Sequence, residues 1–112
     1  MADGCHAEDD LCLRVAEEVL CACQRVERLR RQTKNCQRSA ADSFDRSADS
    51  HDRTARSYEQ LAQRGRRHAE YLEHAARHRE FAQEDRRIAR QLRQLAESSL
   101  MRGSRHPQTV ST

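Results

Sequence analysis

Residues 41–61 are three tandem heptads: Ala41-Asp42-Ser43-Phe44-Asp45-Arg46-Ser47, Ala48-Asp49-Ser50-His51-Asp52-Arg53-Thr54 and Ala55-Arg56-Ser57-Tyr58-Glu59-Gln60-Leu61. A period of seven is close to two turns of a 3.6-residue helix, so each residue type returns to the same helix face. Alanine holds one heptad position at Ala41, Ala48, Ala55, Ala62, Ala69 and Ala76, and Phe44, His51, Tyr58, Gly65 and Leu72 stand three residues further on. Methyl-sized side chains at one seam position let a second helix approach closely, and the larger ones fill the space beside them. The spacing predicts a tight antiparallel pairing whose seam is Ala41, Phe44, Ala48, His51, Ala55, Tyr58, Ala62, Ala69, Leu72 and Ala76.

Upstream, Cys12, Val15, Val19, Ala22, Val26, Leu29, Thr33 and Cys36 recur in steps of three and four, the mark of a helix with one apolar stripe. Asp9 and Asp10 stand where carboxylates complement a helix N-terminus, and Arg30, Arg31 and Lys34 stand where cations complement its end. Around Asn35–Asp42 the pattern loosens, with Ser39 or Asp42 available as a cap, although no Gly or Pro enforces a turn. Gly65 interrupts the later helical stretch and suits the residue just past a helix end. The expectation is an all-α fold, a three-helix antiparallel bundle or an elongated helical hairpin with coiled-coil-like seams. One domain over 1–102 would hold helices at about 9–36, 41–63 and 67–100, and the polar tail 103–112, which carries Pro107, is expected to be disordered.

Composition narrows the function classes. Nine Leu, four Val, two Phe and one Ile make 16 of 112 residues, which leaves material for a thin core and little for an apolar pocket. The 21 basic and 18 acidic residues nearly cancel, and their balance alternates along the chain: negative over 1–20, positive over 21–40, negative over 41–63, positive over 64–112. Nucleic-acid binding through bulk charge needs a one-sided excess, whereas alternation favours salt-laced helices. The first ten residues lack a basic start and an apolar run, no long apolar span follows, and the odd set Cys5, Cys12, Cys21, Cys23 and Cys36 reads as free thiols. A cytoplasmic location without membrane contact is expected.

The segments Ala48-Asp49-Ser50-His51-Asp52-Arg53-Thr54-Ala55 and Tyr58-Glu59-Gln60-Leu61-Ala62-Gln63-Arg64-Gly65 resemble small helical proteins of mycobacteria and related actinobacteria, in which Ala-x-x-(His/aromatic)-(Asp/Glu)-Arg heptads recur. The resemblance covers roughly residues 41–96. It implies helices and no particular activity.

Other constellations have bland readings beside their sharp ones. His74 and His78, four apart with Glu70 a turn earlier, are candidate metal ligands, but Arg66, Arg67, Arg77 and Arg79 around them favour solvated histidines. Cys12 and Cys23 share a helix face and read as small packed hydrophobes. His51, between Phe44 and Tyr58, would be neutral if packed in the seam. Arg77, Arg79, Arg86, Arg87, Arg90 and Arg93 could track phosphates, yet Glu73, Glu80, Glu84 and Asp85 are interleaved among them. No catalytic motif occurs, so neither enzyme activity nor a cofactor is expected. The function expected is helix-to-helix association, as a homo-oligomer or with another helical protein. Accessory nucleic-acid binding through the Arg-rich segment, and thiol or metal sensing, are the alternatives.

Overall fold

A chain with no Gly or Pro between residues 5 and 64 has no strong reason to leave the helix once it has entered it. In the computed structural model, which describes the backbone of residues 2–104 and the side chains of residues 7–98, it does not leave. Helix α1 runs Ala2–Arg64 and helix α2 runs His68–Ser104, and no strand occurs among the described residues. The fold is therefore all-α with two long helices, and the three-helix expectation is wrong in its count. The boundary expected between residues 36 and 41 is absent, because Asn35 and Ser39 each cost only a few tenths of a kcal/mol in a helix interior, about what the flanking residues recover. At the other end, α2 extends through Gly103 and Ser104; the remainder of the expected tail, 105–112, lies outside the described residues.

The second break does occur, at Gly65–Arg67. Its cause is not a left-handed glycine, since no described residue has a positive φ. Instead the ring of His68 donates from Nδ1 to the carbonyl of Ala62 at 2.9 Å, occupying one of the carbonyls that the end of α1 leaves open. The backbone N–H of Tyr71 donates to the Arg67 carbonyl at 2.9 Å as α2 begins. Arg64 in the last turn of α1 and Glu70 in the first turn of α2 complement the two helix dipoles.

The chain divides into two units, Met1–Thr33 and Lys34–Thr112. Within the second, α1 from Lys34 onward and α2 form an antiparallel hairpin, and among the described residues its core consists of alanine alone: Ala41, Ala48, Ala55 and Ala62 from α1, and Ala75, Ala82, Ala89 and Ala96 from α2, each no more than 2% exposed. Alanine is the best helix former and the smallest side chain with a methyl to bury, so eight of them satisfy propensity and close approach together. The first unit is a helical segment whose described large aliphatic residues all face solvent, from Val26 at 46% exposed to Leu13 at 61%.

Candidate functional site

The hairpin seam is read most directly from its ion pairs. Arg93 reaches Asp42 at 2.8 Å and Asp45 at 2.7 Å; Arg86 reaches Asp49 at 3.2 Å and Asp52 at 2.6 Å; Arg79 reaches Glu59 at 2.5 Å and Asp52 at 3.8 Å. Each step of seven down α2 is matched by a step of seven up α1. The second and fifth residues of each of the first two heptads thus supply the two carboxylates that bracket one arginine, and the buried alanines lie in the same register. Hydrogen bonds to Glu59, Asp52 and Asp45 raise the pKa values of Arg79, Arg86 and Arg93, respectively, favouring guanidiniums that are charged in any case. Being solvent-exposed, such pairs specify alignment more than they add stability.

Four of the expected seam alanines, Ala41, Ala48, Ala55 and Ala62, are buried in this hairpin, with Phe44, His51 and Tyr58 half-buried beside them. Ala69, Leu72 and Ala76 are exposed, because the turn resets the heptad phase, and the ladder resumes at Ala75 rather than at Ala69 or Ala76. The signal was available in the sequence: Ala75, Ala82, Ala89 and Ala96 recur every seven residues, each of the first three followed four residues later by Arg79, Arg86 or Arg93.

Beside the alanines the seam holds a cluster of rings. His51 Nδ1 and His78 Nδ1 lie 2.9 Å apart, a hydrogen bond in which one ring donates an N–H and the other accepts through its lone pair. Phe81 packs against both rings, with centroids 5.3 and 5.9 Å away. Tyr58 stacks on His74 at 5.0 Å and lies 6.0 Å from Tyr71. One Asp85 oxygen is buried without a hydrogen-bond partner, and its nearest basic atom is His51 Nε2 at 3.9 Å.

The pairing of His51 with His78 was not legible from spacing along one helix. His74 faces Tyr58 rather than sharing a ligand set with His78, and no group of three or more His, Cys, Asp or Glu that could hold a metal occurs among the described residues. Three of the six arginines expected to track phosphates, Arg79, Arg86 and Arg93, are occupied by α1 carboxylates, and Arg77 and Arg87 pair with Glu73 and Glu84.

In the first unit every described side chain is exposed except that of Ala22, which is half-buried. Cys12, Cys21 and Cys23 are exposed free thiols there, as is Cys36 in the second unit, in contrast to the packed role expected of Cys12 and Cys23. No described helix is long and apolar enough to cross a membrane. No protein-family model matches the chain, and comparison with curated proteins and with solved structures gave no match.

Proposed function

We propose that the protein is a helical association module in which the hairpin of residues 34–104 is self-sufficient and residues 7–33 provide the surface that engages another helix. The observation that carries this is the contrast between the two units. Within the hairpin, every alanine of the ladder is covered, and Arg79, Arg86 and Arg93 are paired with carboxylates across the seam. In residues 7–33, Leu11, Leu13, Val15, Val19, Leu20, Val26 and Leu29 stay 46–61% exposed on one helix. A large aliphatic residue exposed singly is ordinary, but Leu11, Val15, Val19, Val26 and Leu29 fall within about 80° of one another around the helix and make a stripe of the kind that marks association, with Leu13 and Leu20 on the other side.

Placing a charge in the middle of that face tests the assignment without touching the hairpin. Val19→Asp should convert an associating species to a monomer in sedimentation equilibrium while the hairpin's thermal unfolding stays where it was. A wild-type chain that is monomeric and fully helical at tens of micromolar would remove self-association. Equal association of Val19→Asp and the wild type would move the interface elsewhere.

A further inference from the structure

We infer that the surface of residues 7–33 takes a second copy of itself, laid antiparallel, with a two-fold axis passing between Leu20 and Cys21. The inference rests on the association role proposed above and adds to it the identity and direction of the occupant. Three observations lead to it.

The apolar stripe is close to symmetric about that axis. In an antiparallel coiled coil, each residue at one seam position faces a residue at the other. An axis between residues 20 and 21 sets Cys12 opposite Leu29 of the second copy, Val15 opposite Val26, and Val19 opposite Ala22. Each layer then occurs twice, once on either side of the axis: Cys12 with Leu29 and Val19 with Ala22 set a small residue against a larger one, Val15 with Val26 joins two valines, and the polar pair of Thr33 with Glu8 closes each end.

Charge follows the same symmetry with opposite sign. Residues 7–20 carry Glu8, Asp9, Asp10, Glu17 and Glu18 against the single base Arg14, and residues 21–33 carry Arg25, Arg28, Arg30 and Arg31 against the single acid Glu27. The segment as a whole is nearly neutral, so two copies do not repel, yet each is a strong electrostatic dipole. Laid head to tail, the acidic half of each copy lies on the basic half of the other. Laid parallel, acid meets acid and base meets base.

The flanking positions discriminate most sharply. Asp9, Glu18, Arg25 and Arg30 border the stripe and are exposed. Antiparallel pairing brings Glu18 to Arg25 of the second copy and Asp9 to Arg30, giving four attractive pairs once the two-fold is applied. Parallel pairing instead brings Arg25 to Arg30 of the second copy, twice, and like charges at those positions select against an orientation. A two-fold axis also makes the contact closed, so it ends at a dimer rather than a fibre.

The test joins cross-linking to sedimentation, using the full-length chain with all five cysteines replaced by alanine. Val15→Cys and Val26→Cys are made separately, one carrying a tag that alters its mass, then mixed and oxidised in air. The antiparallel dimer yields a disulfide between the two different chains, and neither chain alone yields a dimer on a non-reducing gel. A Val15→Cys homodimer, or sedimenting dimers that never form the mixed disulfide, would overturn the orientation while leaving association intact. Monomers throughout would overturn association as well. A charge exchange gives the second measurement. Glu18→Arg should weaken the dimer by about tenfold, because two attractive pairs become repulsive, and Glu18→Arg combined with Arg25→Glu should restore it. In a parallel dimer the double substitution would instead tighten association, because the carboxylate introduced at position 25 would face Arg30 of the second copy.

Discussion

Ala75 and Ala76 are adjacent, chemically identical residues of one helix, and the hairpin treats them differently: Ala75 is 2% exposed on the ladder, and Ala76, about 100° further round the helix, faces water. Enlarging each to leucine isolates the contribution of close helix approach. Were there room, three added carbons at position 75 would contribute about 0.8 kcal/mol apiece by leaving water. A seam made of alanine methyls has no such room, and forcing extra methylenes into a packed interior costs about 1–3 kcal/mol. Pushing the helices apart at this level also stretches the Arg79 to Glu59 pair, one turn further along α2. The net expectation for Ala75→Leu is a loss of about 2 kcal/mol, or roughly 8–16 °C in Tm for a unit of this size. Ala76→Leu alters an exposed position between two good helix formers and should stay within about 0.5 kcal/mol. Circular dichroism at 222 nm during heating reads both. Equal shifts for the two variants, or a larger one for Ala76→Leu, would refute the ladder as the source of the hairpin's stability.

Three further outcomes follow from the same geometry. Asp85→Leu should raise Tm, by about 1 kcal/mol in stability, since it replaces a carboxylate with an orphaned buried oxygen by an apolar side chain; a lowered Tm would show that the carboxylate is held by His51 after all. Gly65→Ala should stabilise by about 0.4–1 kcal/mol in thermal melts, because the backbone there has no positive φ and the new methyl would meet only the Leu61 carbonyl, at 3.6 Å; a loss would mean that the turn needs glycine's freedom. In a double-mutant cycle, Glu59→Ala with Arg79→Ala should give a coupling of about 0.2–1 kcal/mol, and in 1 M NaCl that coupling should shrink toward zero; a salt-independent coupling would point to packing rather than charge.

The helical class and the alanine seam of residues 41–62 were legible because a sevenfold repeat admits little else. What the sequence obscured was phase and partnership. Carrying the ladder from Ala62 to Ala69 and Ala76 assumes an unbroken helix, whereas the break at Gly65–Arg67 reverses the chain and lets α2 present Ala75 instead. The turn expected near residue 40 failed for the complementary reason: a cluster of polar residues can begin a helix but does not end one while backbone N–H groups and carbonyls keep their intrahelical partners. Spacing alone puts His51 in the seam. It does not reveal the partner His78, since that contact spans 27 residues and depends on the register that the turn sets.

The repeating rungs leave the hairpin with an ambiguity that it must resolve. Slide α2 by one heptad against α1 and most of the alanines still meet alanines, and Arg86 or Arg93 still finds a pair of carboxylates, so the shifted alignment loses only one rung of the ladder and the ion pairs beside it. What does not repeat sharpens the choice: the three-residue connection, the carbonyl cap from His68, and the contact of His51 with His78. The same degeneracy makes the molecule extensible. Removing or duplicating one heptad from each helix together would leave every remaining rung matched, so chains of this kind can change length in paired steps of seven without having to reinvent their seam.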